Sequence, residues 1–436
     1  MKKWARNESI TCVTVATKGR KTRKMYPDKK KAIKEVSDRF GTKNNDDLLK
    51  AATERVQKLT GTFWGITAFF NPVGFKNKHE NYVRFRNASK KQGLNLLTVE
   101  LSYGDNPFEI KKNETDSLIQ LRVDKKHILW EKEALLNIGL KHLPNDCDKV
   151  AWFDCDILLK KDDWLKETAS LLEKYLVVQP YSQLVRLKQG QFDIKSSEHI
   201  PEGIGNGQKR DGFVYTQTDA RCMLKSKNKP VVGGAWAARK EILDEFGFYD
   251  RLIIGSGDRI MAYAFYGIDD EIAQMLLVGE SFKKDRDSWA KAVYARVNGS
   301  VSFTPGVALC LWHGDLEKRR YFERNVILMN HNFDFHADVK KDENGVLVWA
   351  SDKPELHQEV KNYFLQRDEN ISIVLENIKD AYIRFLGFCG KGLKDRLPFV
   401  YSRLKKYFPD KMDEKPAWVC EYEKTKKRET KEKVLA

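Results

Sequence analysis

Two carboxylates stand one residue apart in "KVAWFDCDILL", Lys149 to Leu159, at the end of an apolar run. Val150 to Phe153 precede Asp154 and Ile157 to Leu159 follow Asp156, so the stretch reads as a buried strand. Two unpaired acids there would be costly, and a cation is the simpler account. Asp154 and Asp156 would offer oxygen ligands to Mn²⁺ or Mg²⁺, which would cancel repulsion between the acids and a diphosphate in the same crevice. The plainer reading of a D-x-D triplet, in a chain with 32% charged residues, is a solvated strand end.

Two more segments hold residue types that the same chemistry uses. "VVGGAWAARKEILDEFGFYDRLIIGSGDRIMAYAF", 231–265, has the pair Gly233-Gly234, where backbone can approach a ligand closely, and a Gly-rich loop ending on Asp258. Asp258 is a candidate general base, and equally a candidate N-cap for "RIMAYAF". In "ALCLWHGDLEKRRYFERN", 308–325, His313 follows an apolar strand and precedes a basic helix. It is a candidate third metal ligand, with Arg319, Arg320 and Arg324 near phosphate, or else a core histidine beside Trp312.

These residues need elements to position them. "TFWGITAFF", 62–70, reads as a strand ended by Asn71-Pro72; a polar helical segment and a second strand, "LNLLTVELSY", follow. "WEKEALLNIGLKHLP" is apolar at helical spacing and leads into the strand that bears Asp154. The βαβαβ order predicts a doubly wound parallel sheet, with ligands at the carboxyl ends of its strands, where Asn71, Glu100, Asp154 and Asp156 would emerge. From Tyr26 to Thr60 the pattern is polar and helical, with no strand signal before residue 62 and a domain boundary there.

The chain has 436 residues, 10 of them Trp, enough for a large core. Seven scattered cysteines without a C-x-x-C pair argue against a disulfide framework and a structural zinc site, and for a reducing cytoplasm. No apolar run approaches the ~18 residues that span a bilayer, and no apolar segment follows the basic N-terminus. The net charge of +16 lies in the ends: 17 Lys and Arg against 7 Asp and Glu in 1–60, and 16 against 10 in 371–436. Basic ends on a neutral body fit an anionic partner, nucleic acid or an acidic membrane surface, or simply solvated lysine-rich faces.

"KEALLNIGLKHLPNDCDKVAWFDCDILL", "GGAWAARKEILDEFGFYD" with "GSGD", and "LWHGD" occur in the order seen in metal-dependent glycosyltransferases of GT-A fold, which the chain resembles over roughly 62–370. The likeness is greatest to a bacterial group of nucleotide-sugar transferases, and more distant to β-1,4-galactosyltransferases and polypeptide N-acetylgalactosaminyltransferases. It implies an α/β GT-A domain at 61–370, Rossmann-like with a mostly parallel sheet flanked by helices. A basic, largely helical extension, 1–60, and a basic amphipathic helical one, 371–436, flank that domain.

The resemblance further implies that Asp154 and Asp156 bind the cation and the donor diphosphate, with His313 the late metal ligand. It places Lys132 and Asn137 at the donor, Gly233, Gly234 and Trp236 under the transferred sugar, and Asp258 as base of an inverting displacement. Asn71 and Glu100 join them as donor-binding candidates. The acceptor is then a bacterial surface saccharide, with the C-terminal segment lying on acidic membrane, or a hydroxylated base of phage DNA gripped by the basic ends. A non-catalytic sugar or nucleotide binder is the third alternative; Asp258 argues against it, since a binder needs no base.

Overall fold

The computed structural model describes residues 11–17, 20–26, 57–195, 198–218, 230–268, 280–321, 323–367 and 369. The amphipathic helix expected in 371–436 and most of the helical pattern expected in 26–60 lie outside the described residues. Strands β1 (Thr11–Thr17) and β2 (Arg20–Tyr26) pair antiparallel, from Thr11 opposite Tyr26 to Thr17 opposite Arg20. This corrects the expectation of no strand before residue 62. The β-branched alternation of "TCVTVAT" is the signal that reading passed over.

The central sheet begins at β3 (Thr62–Phe70), a run of aromatic and branched residues that Asn71-Pro72 terminates. The helix Lys76–Lys91 crosses to β4 (Asn95–Tyr103), and a loop without a long helix leads to β5 (Ser117–Val123). The helix Lys132–Leu140 then returns the chain to the other side of β3, where β6 (Cys147–Phe153) pairs parallel with it. β3 and β6 therefore flank the point at which the strand order reverses, the usual place for a ligand crevice. With β8 (Val177–Gln179), β11 (Ala235–Arg239) and β12 (Val301–Phe303), the order is β12-β8-β11-β6-β3-β4-β5. The sheet is mostly parallel. Only β11 runs against its neighbours β6 and β8.

Side chains alternate across this sheet as the pleat requires. Ile66 and Phe70 of β3, with Val150 and Trp152 of β6, face one apolar cluster, while Phe69, Ala151 and Phe153 face another. Trp152 stacks on Trp236 of β11, with ring centroids 6.4 Å apart, and meets Phe248 edge-on at 5.2 Å. A second, four-stranded sheet lies in the order β10-β9-β13-β7. Its strands are β7 (Ile157–Leu159), β9 (Gln183–Arg186), β10 (Gln208–Asp211) and β13 (Val307–Cys310). Among the described residues no helix is long and apolar enough to cross a membrane.

Candidate functional site

Asp154, Cys155 and Asp156 join the two sheets, since β6 ends at Phe153 and β7 begins at Ile157. Asp154 donates its backbone N–H to the Gly234 carbonyl (2.8 Å), and the Asp156 carbonyl accepts from Leu311 N–H (2.9 Å). β7 pairs with β13, setting Ile157 opposite Cys310. His313 follows β13, and its Nδ1 closes on Asp156 Oδ2. Cys310 Sγ stands 3.8 Å from the same nitrogen. The ligand atoms of Asp156, Cys310 and His313 thus lie within 4.8 Å of one another.

This cluster is fit to hold a divalent cation. Asp156 Oδ1 is buried with no hydrogen-bond partner, a state costly for a carboxylate oxygen. Although burial opposes its charge, His313 and then Arg319 outweigh it and keep the Asp156 carboxyl below its usual range. Burial and Arg319 press the His313 pKa below the usual imidazole value, against the opposing pull of Asp156. Burial pushes the Cys310 thiol up to about 12, so it stays protonated unless a metal draws it into coordination. The sequence reading treated the cysteines as scattered and passed over Cys310. Its signal was the C-x-x-H spacing at the end of an apolar strand.

Asp154 faces elsewhere. Lys132, in the first turn of the helix Lys132–Leu140, sets Nζ 2.5 Å from Asp154 Oδ1 and 2.9 and 3.0 Å from the two oxygens of Asp258. Burial disfavours the Lys132 charge, but the two aspartates outweigh it and hold the ammonium well above the usual lysine range. Asp258 sits in the first turn of the helix Gly257–Tyr266, whose cap position is Ser256 at φ +90°. Its carboxylate bonds Lys132 instead of capping the helix. Burial raises the Asp258 pKa, Lys132 opposes the rise and Asp154 adds to it.

Gly233 and Gly234 form the wall beside these acids. A Cβ on Gly233 would lie 2.9 Å from Asp258 Oδ2, and Gly234 takes φ +99°, where a side chain is strained. The buried Tyr181 hydroxyl donates to the Gly233 carbonyl and fixes the turn. Behind Lys132, the buried Glu133 accepts from Trp130 Nε1 (3.0 Å). Burial pushes the Glu133 carboxyl up to about 8.

Four expected residues are not brought to this place. Asn71 caps its own turn, accepting from Phe75 N–H (2.9 Å) and donating to Glu109 (2.8 Å). Glu100 lies inside β4, 2% exposed, and accepts from the Glu109 and Ile110 amides and from Gln120. Asn137 holds the Phe248 backbone and Asp250. Trp236 is buried in the core, its Nε1 donating to the Val232 carbonyl. A polar residue at a strand end or in a helix suits a ligand or a loop equally well in sequence, and here all three polar ones hold loops.

The remaining residues converge on one cavity of about 370 Å³, lined by Lys132, Asp154, Asp156, Gly233, Asp258 and His313 among others. Such a volume suits a small-molecule ligand. Of the three arginines expected near phosphate, Arg319 and Arg324 line it, while Arg320 is exposed and donates to Gln366. Glu369 contributes a buried carboxylate at the wall, shared by Arg367 (2.7 Å) and Arg319 (3.3 Å).

No protein-family model matches the chain, and no curated protein matches it. Several solved structures are similar. For S. aureus TarS the identity is 12% over 63% of this chain and 42% of that one, with a TM-score of 0.31. For M. tuberculosis glucosyl-3-phosphoglycerate synthase it is 11% over 70% and 90%, with a TM-score of 0.34. For the catalytic domain of Drosophila β1,4-galactosyltransferase 7 it is 15% over 46% and 59%, with a TM-score of 0.25. The chain thus spans less than two thirds of the length of TarS and of the Drosophila domain. The fold itself is α/β, with a mostly parallel central sheet flanked by helices.

Proposed function

We propose that the chain is a divalent-metal-dependent glycosyltransferase that moves a sugar from a nucleoside diphosphate to an acceptor hydroxyl with inversion. The observation that carries this reading is the meeting, in one cavity, of the Asp156–Cys310–His313 cluster with the Lys132-held carboxylate of Asp258. A binding protein needs the first and has no use for the second. Asp156, Cys310 and His313 would hold Mn²⁺ or Mg²⁺, which when bound supplies Lewis-acid charge to the departing diphosphate.

Asp258 accepts the proton of the acceptor hydroxyl as that oxygen bonds the anomeric carbon, and the bond to the diphosphate oxygen breaks with its electron pair. Its raised pKa brings its basicity closer to neutrality, where a general base is most useful. Lys132 orients Asp258 through both carboxylate oxygens. Gly233 leaves room for the sugar beside them, because it presents no Cβ. Asp154, 36% exposed, faces the cavity as a further acceptor for the donor. The acceptor is read as a saccharide. The basic ends that a DNA or membrane reading would use lie almost wholly outside the described residues.

A panel of UDP-, GDP-, ADP- and CMP-sugars with Mn²⁺ tests the reading by release of free nucleotide. One donor should be turned over, and Asp258→Asn should lower kcat by about 10²- to 10⁴-fold while donor affinity holds. Asp156→Asn should abolish Mn²⁺-dependent nucleotide binding in calorimetry with the fold intact. Turnover of no sugar nucleotide, or nucleotide binding indifferent to Asp156, would sink it.

A further inference from the structure

The helix Gly257–Tyr266 starts without a side-chain cap although Ser256 stands at its cap position. A capping serine ordinarily lies in extended backbone and turns its Oγ back to accept from an amide of the first turn. Ser256 does neither, with φ 90° and ψ 6° and no cap hydrogen bond from its side chain. That backbone suits glycine, as at Gly255 beside it (φ +94°), and strains a residue with a Cβ. Of the four non-glycine residues with positive φ among the described residues, Ser256 alone lines the cavity. Neither capping nor conformation accounts for a serine here, which leaves its hydroxyl.

That hydroxyl is held from one side. Arg324 Nη2 donates to Ser256 Oγ (2.6 Å) while its Nη1 donates to the Tyr363 hydroxyl (3.1 Å), and Arg324 is itself buried. A guanidinium carries donors only, so it takes a lone pair of the oxygen and leaves the hydroxyl proton unused. Among the described residues no other hydrogen bond reaches this oxygen. The adjacent positive charge also polarises the O–H bond and makes it a stronger donor. A half-buried hydroxyl fixed by a buried cation at a cavity wall, with its proton to spare, is equipped to meet an oxygen of a ligand.

Asp258 stands two residues on, in the first turn of the same helix, and lines the same cavity. The oxygen that Ser256 reaches therefore lies close to the one that Asp258 deprotonates. The Asp156–Cys310–His313 cluster, toward which a diphosphate would be drawn, stands instead at the ends of β7 and β13. We propose that Ser256 selects the acceptor, its hydroxyl donating to a second acceptor oxygen beside the hydroxyl that Asp258 deprotonates. The acceptor is then a saccharide or polyol that presents two oxygens together, not a lone alcohol. The proposal rests on the glycosyltransferase reading and names the acceptor class of the same site.

The test measures transfer to the methyl glycosides of glucose, galactose, N-acetylglucosamine and rhamnose, and to glycerol, from whichever sugar nucleotide the panel turns over. Ethanol is the lone-hydroxyl control, and equal transfer to it would overturn the proposal. Ser256→Ala and Ser256→Gly should each raise KM for the acceptor that is used by about 10-fold, the effect of one hydrogen bond from a polarised donor. UDP affinity with Mn²⁺ and kcat should hold within about twofold in both. Glycine relaxes the backbone and alanine does not, so urea unfolding should find the Gly variant the more stable of the two. Equal kinetic losses at unequal stability assign the effect to the hydroxyl. A loss in the Gly variant alone would assign it to the strained backbone and overturn the proposal. So would unchanged KM in both, which would leave the hydroxyl as an anchor for Arg324, or a fall in UDP affinity, which would give it to the donor. Saturation-transfer NMR of the same glycosides with UDP and Mn²⁺ needs no turnover. Binding that weakens in Ser256→Ala, with no sugar moved by the wild type, keeps the Ser256 contact and sinks the transferase reading alone; no glycoside bound sinks the contact.

Discussion

Lys132→Met removes the ammonium held between Asp154 and Asp258 at nearly the same volume. Nζ lies 2.5 Å from one carboxylate and 2.9 Å from the other, with 7% of the side chain exposed. At an effective dielectric of about 20, unit charges about 3 Å apart attract by roughly 5–6 kcal/mol, and burial of the ammonium offsets much of that. Removing one partner of such a buried group costs about 3–5 kcal/mol, because the remaining charges stay uncompensated. The loss should depend on pH. Without Lys132 the Asp258 carboxyl, already raised by burial, rises further, so the folded state binds its proton more tightly than the unfolded chain does. Stability then falls as pH rises through that window, and the gap between wild type and variant widens. Urea unfolding followed by tryptophan fluorescence, at about pH 5 and about pH 8 in chelator, should give a deficit several-fold larger at the higher pH. An equal deficit at both would mean that Lys132 acts by packing, and the electrostatic account would be wrong.

Glu133→Gln should flatten the pH dependence of stability. The folded carboxyl titrates near 8 against an ordinary 4.5, so wild-type stability declines by a few kcal/mol between those values and the variant's should not; parallel urea curves across that range would count against it. Gly233→Ala puts a methyl 2.9 Å from Asp258 Oδ2, which Lys132 restrains, in the room left for the sugar, and should both cut kcat by about 10²-fold and weaken donor binding, as read by steady-state kinetics and calorimetry; unchanged kcat and affinity would count against that placement. Cys310→Ser should reduce Cd²⁺ affinity in equilibrium dialysis far more than Mn²⁺ affinity, since only the thiolate favours the softer ion.

Much of the first half-sheet is legible in the sequence, because "TFWGITAFF" and "LNLLTVELSY" are long apolar runs with a clear turn between them, and β3 and β4 fall on them. β5 is not, because "SLIQLRV" is an edge strand with mostly half-buried residues and no strong apolar signal. β11 was hidden inside a segment read for its glycines and its helix. The distant pairing that makes it antiparallel to β6 leaves no local mark. The site shows the same division. The residues read on glycine-rich or strand-end motifs, Asp156, Asp258, Gly233 and His313, do reach the cavity. Asn71, Glu100 and Asn137 do not, since a polar side chain that ties a loop and one that meets a ligand look alike without their partners. Cys310 was missed because its relevance comes from β7 pairing beside it, a contact 153 positions away in the chain between Ile157 and Cys310.

The three residues between Phe153 and Ile157 belong to neither sheet, yet each sheet fixes one end of them. A single inserted residue there would have to slip β6 against β11 or β7 against β13, and such a slip turns every side chain of the moved strand to its other face. Trp152 would leave the core, or Ile157 would. The connection from β9 to β10 holds no strand among its described residues, and doubling the length of a loop costs only about 0.6 kcal/mol. It also carries Ile204 to the cavity wall. The consequence is evolutionary: descendants of this chain can change what enters the cavity by lengthening or shortening that connection, while the span from Asp154 to Asp156 is held to one length.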